Sequence, residues 1–246
     1  MKKISFFLAI CLAHIMIAQT PFKPGCTLPF ENIKVIHTID KTCPIQGKKI
    51  TQNAEANLNQ NKIKNNFCAS GDAKQVKVVD LVAKHQQVMA EEINFGGANR
   101  VPLDRKPLEK LGEGTVVYFI GYISDVKYSN VGSGEAVNCK KKGAENNDVH
   151  IELSEVKNET DNCLRISAEI SPHYRPTTWT VENLKDIEEK KFKIKITGQL
   201  FFDASHGACP DSDAGYRASS WEIHPVYRIE VYVNKKWIDL NEWVEE

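Results

Sequence analysis

Five runs decide the fold: GTVVYFIGYISDVKYS (114–129), DVHIELSE (148–155), CLRISAEIS (163–171), KFKIKITGQLFFD (191–203) and SSWEIHPVYRIEVYV (219–233). In the second run Val149, Ile151 and Leu153 fall on one side, and Asp148, His150 and Glu152 on the other. In the third, Leu164, Ile166, Ala168 and Ile170 alternate with Arg165, Ser167 and Glu169. Phe192, Ile194, Ile196, Leu200 and Phe202 share the core side of the fourth, and Trp221, Ile223, Tyr227, Ile229 and Val231 that of the fifth. Side chains alternate across a strand, so the pattern predicts strands with one buried face and one wet face. Between the third and fourth runs, TVENLKDIEE (180–189) reads as a helix. Thr180 supplies an N-cap, Trp179 and Leu184 a hydrophobic staple, and Leu184 with Ile187 a plug for one end of the sheet.

The chain before this block has a different texture. Lys2 and Lys3 precede an apolar run from Ile4 to Ile17, and Ala18 offers a small residue for cleavage, so residues 1–18 read as a signal peptide. The mature chain is then expected to start at Gln19 and to be exported, to the periplasm or the medium. Residues 19–113 read as a mixed α/β segment and linker, 114–233 as the barrel and 234–246 as a tail. From Gln19 to Thr51 the chain is rich in Pro and Gly, with one short strand in IKVIHTI (33–39). AEANLNQNKIKNNFCAS (54–70) carries many amides, which by composition belong on a wet surface. Leu58, Ile63 and Phe67 line one side of an irregular helix there. In KQVKVVDLVAKHQQVMAEEI (74–93) Val76 and Val78 alternate as in a strand, and Asp80 then caps a helix carrying Leu81, Val82, His85, Val88 and Met89. Asp104 caps a shorter helix that Gly112 ends.

Lysine plus arginine and aspartate plus glutamate each number 32. Such a balance gives no global field for nucleic acid or membrane surfaces. Six cysteines lie beyond the leader: Cys26, Cys43, Cys68, Cys139, Cys163 and Cys209. An even count in an exported chain points to three disulfides, and no C-x-x-C favours zinc instead. Three precede the barrel and three lie in or beside it, so full pairing requires at least one bridge between the halves.

The strand order β-β-β-α-β-β resembles the OB fold, a small Greek-key barrel used mainly for binding. The fold class expected is therefore mainly β: a five-stranded OB-like barrel, with the helix between strands three and four, plus the disulfide-linked N-terminal α/β segment. The phrases KNNFCAS, DVHIEL, GQLFFDASH and SSWEIHPVYRIEV are similar to those of uncharacterised secreted bacterial proteins, a likeness that implies no activity. Secreted nucleases of the staphylococcal type share the barrel, but their arginines and calcium-binding carboxylates find no residue-by-residue match here. The resemblance to OB barrels implies a ligand groove beside strands two and three, flanked by the loops 129–147 and 204–218.

Binding candidates around that groove are Tyr128, Lys140, Lys141, Lys142, His150, Glu152, Arg165, Arg175 and Arg217. An aromatic beside a basic run suits an oligonucleotide, and arginines suit a phosphate or carboxylate. Oligosaccharide or protein fits the groove equally. No G-x-S-x-G or P-loop occurs, so a serine nucleophile and a phosphate cradle of that kind are excluded. The reading is a binding module with no cofactor. The alternative is a metal-dependent hydrolase, acting on phosphodiesters, with zinc or another divalent ion on His150, His173, Asp203 and His206. Against it, histidines on outward strand faces, His150 and His224 among them, are ordinarily solvent-exposed.

Overall fold

The computed structural model describes residues 26, 35–36, 38–50, 53–91, 93–96, 101–205, 207–209 and 216–243. The expected leader, the start at Gln19 and His206 lie outside them. The five expected strands are present: β1 (Val116–Tyr128), β2 (Val149–Ser154), β3 (Arg165–Ile170), β4 (Lys193–Phe202) and β5 (Trp221–Val233). β1 pairs antiparallel with both β2 and β4. β2 pairs antiparallel with β3, β4 antiparallel with β5, and β3 runs parallel to β5 through Ala168 and Ile223. The hydrogen-bonded circle β1-β2-β3-β5-β4 is closed and mixed, which is the OB topology. Closure leaves no bare edge between these strands.

The barrel interior holds the residues that alternation assigned to it. Ile151, Leu153, Ile166, Ala168, Ile194, Ile196, Ile223 and Ile229 are fully buried. The helix Val181–Glu189 stands between β3 and β4, and the Thr180 hydroxyl accepts from the Asn183 N–H at 3.2 Å. Trp179, Leu184 and Ile187 join the same apolar cluster. Leu164 departs from expectation: it is half exposed, because residues Asn162–Leu164 form a 3-10 turn and the inward register starts at Ile166. Gly198 of β4 faces the irregular stretch between Ile223 and Val226, where a Cβ would lie 2.5 Å from the Pro225 carbonyl. Only glycine permits that approach. The tail adds a strand (Lys236–Asp239) antiparallel to β5, followed by a short helix (Leu240–Trp243) whose Leu240 is buried.

The N-terminal segment packs on the barrel's outer face, and two readings of it change. The helix Ala54–Lys64, here α1, turns Asn57, Gln60, Asn61 and Lys64 inward instead of to water. The amides are buried because they satisfy neighbouring chain. Asn61 donates to the Gln46 carbonyl at 2.9 Å, Asn65 to the Ile45 carbonyl at 3.1 Å, and Gln60 accepts from Arg105 at 2.9 Å. The next helix, α2 (Val78–Ala90), begins before Asp80. Asp80 works from its third position, accepting the Lys77 N–H at 2.9 Å. The strand before it shrinks to Lys74–Gln75, parallel to β1. The short helix Lys106–Lys110 starts one residue later than expected, with Arg105 and not Asp104 at its N-cap; Asp104 accepts the Lys106 N–H at 3.0 Å, and Gly112 follows the helix with φ 112°.

The six cysteines from Cys26 onward pair: Cys26 with Cys68, Cys43 with Cys139, and Cys163 with Cys209. The second bridge is the link between halves that the count required. It joins the N-terminal segment to the loop after β1, and the third ties the entry of β3 to the loop after β4. No helix among the described residues is long and apolar enough to cross a membrane.

The contrast between Ile166 and Leu164 gives a direct check of the register. Ile166→Ala should cost about 2–5 kcal/mol, since a cavity is left in a closed core. Leu164→Ala should cost about 0.5 kcal/mol or less, as surface changes do. Urea unfolding of both variants measures the difference; equal losses would place both residues in the core and refute the register.

Candidate ligand groove and its buried polar floor

Alternation fixes which side chains leave the barrel, and here it sends polar groups out from three adjacent strands. His150 of β2 stands opposite Glu169 of β3, and Glu152 opposite Ser167. The parallel register of Ala168 with Ile223 brings Glu222 and His224 of β5 alongside. Glu169 and His224 were expected on a wet face, but both are buried, and so is Glu222. Lys64 of α1 and Arg217 of the loop after β4 reach in against them. An outward face is only a wet face if nothing packs on it.

The covered groups form one chain of ion pairs. His150 Nε2 lies 3.0 Å from Glu169 Oε1, and Glu169 Oε2 lies 2.8 Å from His224 Nδ1. The same His224 nitrogen is 3.2 Å from Glu222 Oε1, while Arg217 donates to Glu222 Oε2 at 2.5 Å. Arg217 also donates to the Asp203 carbonyl at 2.8 Å, and Asp203 Oδ2 meets Lys64 Nζ at 2.9 Å. Lys64 comes from α1, so the chain of charges runs from the groove to the N-terminal segment. The Phe201 ring lies beneath, with Lys64 Nζ 5.6 Å and the Arg105 guanidinium 4.9 Å from its centroid.

Proton affinities follow from this crowding. Burial alone would lower the His224 imidazole, but Glu169 and Glu222 outweigh it and push it up to about 10. Burial would raise Glu169 and Asp203. His150, Lys64 and His224 hold Glu169 well below the usual carboxylate range, and Lys64 and Arg217 do the same for Asp203. Asp148 goes the other way: burial, with Glu135 beside it, pushes it up to about 6.

Above this floor opens a groove of about 330 Å³. β2 and β3 supply His150, Glu152, Arg165, Ser167 and Glu169; β1 supplies Asp125 and Lys127. The loop after β1 adds Ser129 and Asn130, and the loop after β4 adds Tyr216 and Arg217. This is the place the loop arrangement implied. A larger cleft, about 810 Å³, runs between α2 and β1, but no histidine lines it. The smaller groove holds four of the residues singled out from the sequence.

Of the residues singled out from sequence, His150, Glu152, Arg165 and Arg217 line the groove together. Arg165 also donates to Asn162 at 3.0 Å and to the Glu159 carbonyl. Arg175 is buried elsewhere, donating to the Asn147 and Ala144 carbonyls at 3.0 Å each, with its guanidinium 5.9 Å from the Tyr128 ring. Those two residues brace the end of the loop. Lys140 donates to the Gly134 carbonyl at 3.3 Å, and neither it, Lys141 nor Lys142 lines the groove. His173 Nδ1 lies 2.7 Å from Asp40 Oδ1, and Asp203 is held by Lys64, so neither joins His150. Among the described residues, two overlapping groups have ligand types and spacing suited to a metal ion. Asp148, Glu169 and His224 form one; Glu135, Asp148 and His150 form the other. Glu169 and Glu135 were missed as ligands, whereas His224 had been noted on the outer face of the fifth strand. The strand register already aligned Glu169 with His150, but nothing in the sequence placed the loop residue Glu135 there.

The Lys64–Asp203 pair is testable through pH. Asp203→Asn leaves a buried ammonium unpaired and should cost about 3–5 kcal/mol at neutral pH. Because the folded carboxyl is depressed, its contribution is present above the unfolded value of about 3.9 and lost as pH falls through the folded one. Urea unfolding at pH 7 and at progressively lower pH should show the gap between wild type and variant narrowing below about pH 4. A gap that is absent at pH 7, or unchanged in acid, contradicts the pairing.

No protein-family model matches the chain, and no curated protein does. Among solved structures, the crystal structure of yeast Stn1 and Ten1 is similar at 12% identity and a TM-score of 0.28, over 68% of this chain and 66% of that one. The chain thus spans just under two thirds of that protein's length. At that level the likeness carries no argument, and the OB assignment rests on the closed strand order itself.

Proposed function

We propose that this chain is an exported binding module whose groove, on the β2–β3 face of the OB barrel, takes a polyhydroxylated ligand of the oligosaccharide class. One observation carries the reading: the groove is lined by three carboxylates (Asp125, Glu152, Glu169) matched by three cations (Lys127, Arg165, Arg217), with hydroxyls, amides and an imidazole, and the aromatic among its described lining residues is Tyr216 at the lip. Single-stranded nucleic acid needs rings along the floor for its bases and cations for its phosphates. Here Asp125, Glu152 and Glu169 offset the cations Lys127, Arg165 and Arg217, and the lysine run 140–142 stands outside the groove. Sugar hydroxyls both donate and accept, which matches carboxylate acceptors beside arginine and amide donors. Tyr216, 69% exposed, presents a face on which a sugar ring can stack. Three disulfides suit an oxidising compartment, in keeping with export.

Calorimetric titration of the oxidised protein with neutral oligosaccharides and with a single-stranded oligothymidylate separates the readings. Saccharide binding should be insensitive to salt, and Tyr216→Ala or Glu152→Gln should weaken it about tenfold, roughly 1.4 kcal/mol. Neutralising Lys140, Lys141 and Lys142 together should leave it unchanged. Salt-dependent oligothymidylate binding, lost on that neutralisation and with no saccharide bound, would overturn the proposal.

A further inference from the structure

We propose that the floor beneath the groove is a binding site for one divalent transition-metal ion, held by Asp148, Glu169 and His224, with His150 on the groove side. The inference goes beyond the saccharide reading and does not depend on it. Three observations support it. Asp148, Glu169 and His224 each offer a ligand atom within 4.8 Å of the others, and His150 joins Asp148 in a second such group with Glu135. Ligand atoms on one zinc ion, at about 2.1 Å, stand about 3.4 Å apart, so side-chain shifts of about 1 Å close the gap.

The second observation is unmet bonding capacity. Asp148 and His224 are 1% and 0% exposed, yet Asp148 Oδ2 and His224 Nε2 have no hydrogen-bond partner among the described residues. Buried polar atoms are rarely left so, and unmet ones call for an explanation such as a bound ion. The third is the support around the ligands. Glu222 lies 3.2 Å from Nδ1 of His224, which directs the lone pair of a neutral imidazole to Nε2, while Glu169, 2.8 Å from the same Nδ1, would turn from it to the ion. Asn138 Nδ2 donates to Asp148 Oδ1 at 3.2 Å, leaving the other oxygen free. A carboxylate behind a histidine ligand and a hydrogen bond behind a carboxylate ligand are the usual outer contacts of a metal centre.

The mixed imidazole and carboxylate set suits zinc or manganese; calcium prefers six or more oxygens. His150, the member that also lines the groove, would put an exchangeable position within reach of a groove ligand.

The test uses the full oxidised chain without a histidine tag, stripped with chelator and titrated with zinc, manganese and calcium chlorides. One zinc or manganese ion per chain should bind, and calcium should not compete. Asp148→Asn and His224→Gln should weaken uptake by about 100-fold or more, and the supporting variant Glu222→Gln by about 10–100-fold. Should these variants fail to fold, anomalous scattering from wild-type crystals soaked in zinc decides the matter. A peak between Asp148 and His224 supports the site. No stoichiometric uptake, uptake unchanged in folded variants, or a peak elsewhere overturns it. Saccharide titrations repeated in chelator keep a failure of this site distinct from a failure of the groove reading.

Discussion

Desolvation of the barrel's outer polar face is the constraint that the rest of the molecule answers. Carboxylates on β3 and β5 are taken out of water, and an unpaired buried charge costs several kcal/mol. The compensation comes from distant chain. Lys64 arrives on α1, Arg217 on the loop after β4, and His224 from the strand itself. Each cation fixes the element that carries it, so the charge network also decides where the N-terminal segment and the second loop sit. Gln199 reinforces this by donating to the Ile63 carbonyl of α1 at 2.8 Å and to the His224 carbonyl at 2.9 Å.

That constraint explains what could be read from the sequence and what could not. The barrel was legible because period-2 alternation and closure are local and topological facts. Ile151 and Ile166 needed no knowledge of distant chain. The groove's position was legible for the same reason, since the two long loops must flank β2 and β3. What was hidden depended on partners far away in sequence. Alternation places His224 outside the barrel but does not say that it will be buried. The amides of α1 look like a solvated surface because their partners, the Gln46 and Ile45 carbonyls, belong to loop backbone with no side-chain signature. Leu164 misled for a smaller reason: a 3-10 turn beside a strand keeps the composition of the strand and loses its register.

The barrel has two interiors of opposite character. Inside the strands, apolar side chains interlock around Leu153, Ile166 and Ile196. Outside β3 and β5, a second interior is held by charge and hydrogen bonds, with Phe201 as its apolar base. Polar interiors are directional: each bond specifies where its partner must be, whereas an apolar core tolerates repacking. A groove whose floor is such a network presents its ligand with groups already fixed in position, which lowers the ordering cost of binding.

The pairing of the cysteines has a consequence for how the chain is made. A ribosome delivers it N-terminus first, so Cys26 and Cys43 emerge before either native partner. Cys43 lies within the loop closed by Cys26 and Cys68, yet its own partner, Cys139, is 96 residues further on. Among the six paired cysteines, the first bridge available in time, Cys26 to Cys43, is a wrong one. Oxidation in order of synthesis would therefore trap the N-terminal segment away from the barrel, and reaching the native pairing requires thiol–disulfide exchange after the loop beyond β1 has appeared. A host that only oxidises thiols, without an activity that reshuffles them, should make this protein slowly and in poor yield.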